Sequence, residues 1–236
     1  MEHTSAPTPK IVSKEEWQAA HEQLLVKEKE ATKARDALNA SRRKLPMYEV
    51  EQEYIFQGVH GTKNLLELFE GRRQLLMYNF MFDPEWTEGC VGCSMMVDNM
   101  CHPAHLAARD ITLVLVSRAP LTVLEPFRKR MGWSLPWYSS YENSFNQDFE
   151  VSTPHGENFR LSVFFQNQAK VYHSYFTKGR GVEHLGSSFS FMDLTPYGRQ
   201  EDWEDSPAGW PKGPRYEWWK LHDSYGSKIY TIKKND

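Results

Sequence analysis

The pattern of hydrophobic and polar positions changes twice along the chain, near residue 46 and near residue 195. The first stretch is highly charged with a thin apolar stripe, the second alternates apolar runs with polar turns, and the third is rich in Trp, Pro and Gly. We therefore predict a tail and helical arm over residues 1–46, an α/β domain over 47–194 and an extension over 195–236. The extension is too aromatic for simple disorder, so we expect it to pack on the domain or on a partner subunit.

The arm is predicted to be one long helix. Ser13 followed by Glu16 has the spacing of a capping box, and Pro46 ends the helical pattern. A thin apolar stripe normally docks on one surface, so we expect the helix to lie on the domain or across a dimer seam, which predicts a homo-oligomer. The stripe consists of Trp17, Ala20, Leu24, Ala31, Ala34 and Leu38.

The central domain has the pattern of a strand–helix–strand unit followed by a hairpin. Residues 74–82 (QLLMYNFMF) and 110–117 (DITLVLVS) are continuous apolar runs, as expected of strands buried on both faces. The helical spacing between them predicts a right-handed connection between parallel strands. Residues 159–166 and 169–176 are predicted to form an antiparallel hairpin, and residues 47–56 and 137–141 are predicted as further strands.

A Cys-x-x-Cys pair lies where the first buried strand gives way to the helix. Cys90 falls at the predicted helix start and Cys93 in its first turn, while Pro103 is predicted to split the helix near His102. Unpaired amides and the helix dipole stabilise a thiolate at such a position and lower its pKa. This favours Cys90 as nucleophile and Cys93 as the thiol that resolves a mixed disulfide. The alternatives are one half of a zinc site or two ordinary thiols.

Composition narrows the partners and the compartment. The chain has 236 residues, 40% hydrophobic and 25% charged, and its net charge of −3 gives no reason to expect nucleic acid as a partner. No apolar run is long enough to span a bilayer, and the N-terminus lacks the apolar segment of a signal peptide, so we expect no membrane span and no secretion. Three cysteines do not make a disulfide framework, which favours a reducing, cytoplasmic location.

Several motifs relate the chain to a known family. They are EEWQAAHEQLLVKEKEATKARDALNASRRKLP, YNFMFDPEWTEGCVGCSMMVDN, VSRAPL, RMGWSLPWYSS, NSFNQDF, LSVFF and FMDLTPYGRQEDW. Over nearly its whole length the chain resembles the bacterial and fungal family known as domain of unknown function eight-nine-nine, whose members are named as predicted dithiol-disulfide oxidoreductases. The resemblance implies an α/β fold, a thioredoxin-like three-layer sandwich with a mixed central sheet. The long N-terminal helix and the aromatic-rich C-terminal extension are additions to that fold.

The resemblance also implies a site. The family's redox pair falls on Cys90 and Cys93. The implied redox group is the disulfide that these residues form, with no other cofactor. The implied partners are a disulfide-containing or oxidised substrate and an external thiol reductant. The residues expected to wall the substrate pocket are Trp86, Trp133, Trp137 and Phe145, together with Asn79.

Three features depart from the pattern of such enzymes. Thioredoxin-like enzymes usually have a cis-proline just before the first hairpin strand, and here Asn158 and Phe159 occupy that place. Asn79 stands where many relatives have His, which removes a base or metal ligand. Three carboxylates lie shortly before Cys90 and would oppose its thiolate if they were close. They are Asp83, Glu85 and Glu88.

The alternative function is binding without redox turnover. Thiolate and imidazole ligands suit zinc or copper, so Cys90, Cys93 and His173 could together hold a metal ion, or the aromatic pocket could hold a small ligand. Cys101 lies eight residues after Cys93, too far along a continuous helix for a disulfide. We predict that Cys101 is a buried structural thiol.

Overall fold

The structure, a computed structural model, describes residues 7–226. Parts of two predictions, the tail over residues 1–6 and the end of the extension over residues 227–236, lie outside the described residues. The described range forms the predicted α/β fold, with a mixed central sheet and a long N-terminal helix.

The main helices and strands follow one another as the sequence predicts, with several short elements between them. The α-helices are α1 (Lys14–Arg42), α2 (Val91–Asp98), α3 (Pro103–Ala107), α4 (Leu121–Arg130), α5 (Phe145–Asp148) and α6 (Ser187–Asp193). The strands are β1 (Tyr48–Glu49), β2 (Ile55–Gly58), β3 (Gly61–Asn64), β4 (Gln74–Asn79), β5 (Ile111–Ser117), β6 (Trp137–Ser139), β7 (Ser152–Thr153), β8 (Gly156–Glu157), β9 (Arg160–Asn167) and β10 (Lys170–Thr177). Segments of 3₁₀ helix cover Glu67–Phe69, Gly179–Leu185 and His222–Ser224.

Eight strands form the central sheet in the order β1-β10-β9-β4-β5-β6-β2-β3. β5 lies parallel to both β4 and β6, whereas β9 lies antiparallel to β4 and β10 antiparallel to β9. β4, α2 and β5 thus form part of the predicted strand–helix–strand unit, and the β9–β10 hairpin extends the sheet on the other side of β4. This is the central arrangement of a thioredoxin-like fold, which confirms the predicted fold class.

Side chains alternate along the strands, so the sheet has two covered faces. On one, which we call the cysteine face, Tyr78 of β4 and Leu115 of β5 pack with residues of α2 and α4. On the other, which we call the opposite face, Met77 and Val116 pack with residues of α5 and of the 3₁₀ helix Glu67–Phe69. Helical residues on both sides of the sheet make up the three layers.

The predicted strand over residues 47–56 is two strands. β1 pairs with β10 at one edge of the sheet, whereas β2 pairs with β3 and β6 at the other. Alternating apolar and charged residues predict a strand without specifying its partner. Here the chain crosses from one edge of the sheet to the other between Glu49 and Ile55. Residues 142–158, between the predicted strand 137–141 and the hairpin, contain α5 and the β7–β8 pair.

α1 begins as predicted without burying any of its residues. The Ser13 hydroxyl accepts the Glu16 N–H at 3.2 Å, and the Glu16 carboxylate accepts the Ser13 N–H at 3.1 Å, which completes the capping box. Near the other end, the Arg42 guanidinium carbon lies 5.3 Å from the ring centre of Tyr175. No residue of the helix is buried in the single chain, so the homo-oligomer stays a prediction.

The C-terminal extension, as far as residue 226, packs on its own domain at the cysteine face. Leu221 belongs to the same apolar cluster as Cys93. The buried Glu201 carboxylate holds the extension together, because it accepts the indole N–H groups of Trp203 at 2.5 Å and Trp218 at 2.9 Å. The concentration of Trp that the sequence shows therefore serves packing next to the cysteine helix.

Candidate active site

The cysteine pair lies at the start of α2, directly beyond the end of the central strand β4. Cys90 is the N-cap of the helix and Cys93 is in its first turn, as predicted. The Cys90 sulfur accepts the backbone N–H of Cys93 at 3.4 Å. Cys90 is half-buried, whereas Cys93 is only 2% exposed. An external reagent can therefore approach the first sulfur more readily than the second.

Hydrogen bonds make the two sulfurs chemically different. The Cys93 thiol donates to Cys90 and, with the backbone N–H groups of Cys93 and Gly92, outweighs burial and lowers the Cys90 pKa to about 6. Burial raises the pKa of Cys93 well above its ordinary value, and the neighbouring Cys90 raises it further. At neutral pH the arrangement favours a thiolate at Cys90 and a neutral thiol at Cys93.

Two groups from β4 and the residues after it contact the buried sulfur. The Met81 N–H donates to the Cys93 sulfur at 3.5 Å, and the Tyr78 side chain is hydrogen-bonded to the same sulfur. Tyr78 is 1% exposed, and burial followed by the proximity of Cys93 raises its pKa well above the ordinary value. Sequence reasoning missed Tyr78, because a continuous apolar run does not reveal which alternate residues face the helix.

The carboxylates before Cys90 are paired with arginines. Asp83 forms an ion pair with Arg118, and Glu88 forms one with Arg130. Glu85 is exposed to solvent, where charge is screened. The expected opposition to the Cys90 thiolate is thus offset by cations that are distant in sequence, and carboxylates are not among the groups that shift the Cys90 pKa.

An apolar cavity of about 360 Å³ adjoins the cysteine pair. It is enclosed by β4, α2, the residue before β9, the 3₁₀ helix Gly179–Leu185, α6 and the C-terminal extension. Phe159, at the place where thioredoxin-like enzymes usually have proline, is part of the wall. Within residues 7–226, the lining consists of Tyr78, Met81, Cys90, Val91, Gly92, Cys93, Met96, Phe159, Gly179, Val182, Glu183, Phe189, Tyr216 and Trp219.

The predicted tryptophans do not line this cavity. Trp133 and Trp137 belong to the apolar layer of the cysteine face, where they pack with each other at 5.8 Å and with Phe80. Their N–H groups donate to Asp98 and Ser117, at 2.7 and 3.0 Å, so both rings have structural partners. Trp86, which precedes the cysteines in the sequence, is 39% exposed and does not line the cavity. The tryptophan in the wall is Trp219 instead, 126 residues after Cys93, and no local motif signals it.

Phe145 and Asn79 lie away from the cysteines, which corrects their prediction as pocket residues. Phe145 is 0% exposed and stacks on Phe149 at 4.4 Å within the cluster of the opposite face. Asn79 is also 0% exposed, and alternation along β4 turns it to the face of Met77 rather than that of Tyr78.

The alternative metal site is not assembled. His173 packs against Phe164 at 5.1 Å on the opposite face, so the sheet separates it from Cys90 and Cys93. Burial, and then the charge of Arg160, lower its pKa to about 4. Across residues 7–226, no group of three or more His, Cys, Asp or Glu side chains could hold a metal ion.

Cys101 is a free, exposed thiol, so the prediction of a buried one was wrong. α2 ends at Asp98, and Pro103 begins the separate helix α3, as the predicted split requires. Cys101 therefore lies in the link between two helices, where its side chain does not face the core. Three cysteines are thus present as free thiols, each in a different environment.

A cysteine pair at the start of the helix that follows the central strand of this sheet defines a thioredoxin-like dithiol protein. The chain belongs to the family described as bacterial protein of unknown function (DUF899), whose profile matches residues 6–225. This match confirms the resemblance found in the sequence. No relative is found among curated proteins. None of the helices within residues 7–226 has the length and apolar character required to cross a membrane.

Solved structures with partial similarity include three bacterial proteins. Peroxidoxin BcpB from Mycobacterium tuberculosis is 13% identical, with a TM-score of 0.45, over 60% of this chain and 93% of that one. A peroxiredoxin Q mutant from Xanthomonas campestris is 12% identical, with a TM-score of 0.44, over 63% and 97%. A PrxQ mutant from Xylella fastidiosa is 14% identical, with a TM-score of 0.43, over 62% and 95%. Similarity at this level says nothing about the reaction of this chain.

Proposed function

We propose that the protein is a thiol–disulfide oxidoreductase in which Cys90 is the nucleophile and Cys93 the resolving thiol. The proposal is supported above all by the pairing of a half-buried Cys90, whose pKa is lowered to about 6, with a buried Cys93 whose pKa is raised. Thiolate is the reactive form in disulfide exchange. Near pH 7 the accessible sulfur is thus ready to react, while its neighbour remains a thiol until it is needed.

In the first step, the Cys90 thiolate attacks one sulfur of a substrate disulfide. A bond forms between that sulfur and Cys90, the substrate sulfur–sulfur bond breaks, and the leaving thiolate takes a proton from solvent. In the second step, Cys93 loses its proton and attacks the Cys90 sulfur, so the second substrate thiol leaves and a Cys90–Cys93 disulfide forms. Two electrons pass from the protein dithiol to the substrate.

The second step requires a thiolate at the buried Cys93. The Met81 N–H and the Tyr78 hydroxyl both lower the pKa of Cys93 and so oppose the larger effect of burial. In this step Cys93 attacks the Cys90 sulfur and the substrate thiolate is the leaving group, so the stabilised Cys90 thiolate assists the first attack. Tyr78 is therefore a positioning residue of the resolving step.

An external dithiol must return the Cys90–Cys93 disulfide to the reduced state. It supplies two electrons and is itself converted to a disulfide. Three free cysteines suit a compartment in which thiols remain reduced, so we place the protein in the cytoplasm within this proposal. The disulfide is the only redox group that the mechanism uses.

Single substitutions of the cysteines test the proposal. Cys90→Ser should abolish reduction of a disulfide substrate, whereas Cys93→Ser should still attack once and accumulate a mixed disulfide that mass spectrometry detects on Cys90. Cys101→Ser is the matched control and should retain full turnover, because Cys101 is exposed between α2 and α3. Retention of full activity by Cys90→Ser and Cys93→Ser would refute the mechanism.

A further inference from the structure

The lining of the cavity beside the cysteines carries little charge. Among the lining residues that the structure describes, Glu183 is the only Asp, Glu, Lys or Arg. Its carboxylate is already engaged, because Arg199 and Arg180 approach it at 2.7 and 3.3 Å and the Tyr216 hydroxyl donates to it. The lining therefore offers a charged substrate no free counter-ion.

The C-terminal extension covers the cysteine helix closely. A Cβ atom at Gly92 would lie 2.5 Å from the Trp219 ring, so residue 92, directly before Cys93, must be glycine for the ring to lie there. Tyr216 stacks on Trp219 at 4.0 Å, and Phe189 lies 6.0 Å from the same ring. These three aromatic side chains form one wall of the cavity and narrow the approach to Cys90.

We infer that the substrate of the Cys90–Cys93 pair is a small, uncharged organic disulfide with apolar substituents. This inference rests on the proposed function and names its substrate class. A cavity of about 360 Å³ suits a small ligand, and its apolar wall removes water from whatever enters. Burial of an unpaired charge in such a wall is costly, so anionic disulfides are disfavoured. The small volume of the cavity likewise disfavours extended peptide chains.

The chemistry is the exchange already described, with both organic groups leaving as neutral thiols. The first becomes bonded to Cys90 while the other departs and takes a proton. Attack by Cys93 then releases the second, and its proton also comes from solvent. An external dithiol restores the reduced pair, so electrons and protons balance over the cycle.

Alkylation tests the charge preference without any turnover. We expect the Cys101→Ser variant, in which Cys90 is the accessible thiol, to react with neutral iodoacetamide in strong preference to anionic iodoacetate. The ratio of rates should exceed by about tenfold or more the ratio for Cys101 in Cys90→Ser, since Cys101 is an exposed thiol of the same chain. Equal ratios for the two thiols would overturn the inferred substrate class.

Turnover then compares two disulfides of opposite character, neutral 4,4′-dithiodipyridine and the dianion 5,5′-dithiobis(2-nitrobenzoate). After correction for their rates with a free thiol, the neutral compound should be preferred by about tenfold or more. Val91→Lys places a cation in the lining at a position that is 36% exposed, and it should raise the relative rate of the dianion. Val91→Gln is the neutral control.

The two experiments separate the two proposals. Selective alkylation with no reduction of either disulfide would refute the oxidoreductase and, with it, the disulfide substrate, while showing that the cavity admits neutral molecules. Turnover without charge selectivity would uphold the oxidoreductase and overturn the substrate class. Preferred reduction of a protein disulfide over both small compounds would also overturn it.

Discussion

The two faces of the central sheet use alternate residues of the same strands and differ in what those residues do. On the cysteine face, Tyr78 reaches the sulfur of Cys93, and a cavity remains between α2 and the C-terminal extension. On the opposite face, Phe145 fits between Tyr54 at 5.1 Å and Phe149 at 4.4 Å in an aromatic cluster. One face thus holds the cysteine pair beside a cavity, whereas the other supplies packing.

This division explains why residue type alone misplaced part of the site. Aromatic side chains are abundant on both faces, and they stabilise the core wherever they are buried. Only those that line the cavity, from β4, the residue before β9, α6 or the extension, can affect a molecule at Cys90. The following predictions test how independent the two faces are, beginning with the largest expected effect.

Phe145→Ala should destabilise the protein by about 3–5 kcal/mol, because it leaves a cavity in the opposite face. The alkylation rate of Cys90 in the native state should not change, since Phe145 does not line the cavity. Urea unfolding and iodoacetamide kinetics measure the two quantities. Phe145→Leu is the milder variant if Phe145→Ala does not fold, and altered Cys90 reactivity in it would contradict the separation of the faces.

The reduced protein should become more stable relative to Cys90→Ser as the pH rises from 6 to 9. The Cys90 pKa is lowered to about 6 in the folded state, so its stabilising contribution is fully present above the unfolded pKa and is lost as the pH falls through 6. Between pH 6 and 9, the difference in free energy of unfolding between the two proteins should change by a value on the order of a few kcal/mol.

Urea titrations of both proteins in excess reductant measure this difference. His173, on the opposite face, acts at lower pH: burial lowers its pKa to about 4, so its contribution is present above its unfolded pKa and is lost as the pH falls through 4. The substitution His173→Gln, made in both proteins, should therefore leave the stability difference between wild type and Cys90→Ser almost unchanged over pH 6 to 9. A flat difference between wild type and Cys90→Ser would show that the thiolate is not stabilised by the fold.

Cys93→Ala should raise the pKa of Cys90, because it removes the main hydrogen bond to the thiolate. Such a bond contributes about 1.5–3 kcal/mol, which moves the midpoint of the alkylation curve up by about one to two pH units. Cys93→Ser keeps a donor and should shift the midpoint less. A midpoint that remains near pH 6 in Cys93→Ala would assign the low pKa to the backbone amides instead.

Tyr78→Phe should slow the resolving step by about threefold to tenfold, since it removes one hydrogen bond of about 0.5–1.5 kcal/mol to the Cys93 sulfur. The initial attack by Cys90 should be less affected, so the mixed disulfide should persist longer in rapid-quench experiments. Tyr54→Phe is the matched control: it loses a hydrogen bond to Asp148, 2.9 Å long, on the opposite face. Equal effects of both variants would indicate a general loss of stability.

The apolar stripe of α1 belongs to neither face, and its loss should change stability least. Trp17, Leu24 and Leu38 are 57%, 52% and 52% exposed, so replacing all three by Gln should alter the free energy of unfolding of a single chain by only about 0.5 kcal/mol per site. If the stripe joins two copies, light scattering should report a fall to the monomer mass of 27.6 kDa. A wild-type protein already at that mass would refute the homo-oligomer.

The sequence determined much of the fold, because its strongest signals are local or periodic. The long helix with its Ser13–Glu16 cap, the buried strands and the hairpin all follow from hydrophobic period and turn chemistry. The position of Cys90 at a helix N-terminus follows in the same way, and with it the expectation of a lowered pKa. The position of Pro103 likewise predicted the break between α2 and α3.

The surroundings of the cysteines were decided only by tertiary structure. Trp219 joins Gly92 from 127 residues away, and Arg118 and Arg130 pair with the carboxylates before Cys90. The face on which a buried strand residue lies also depends on register, since a shift of one residue exchanges the two sides. Sequence thus determined which sulfur could react, whereas contacts between distant segments decided what surrounds it, because a local pattern does not encode the pairing of separate surfaces.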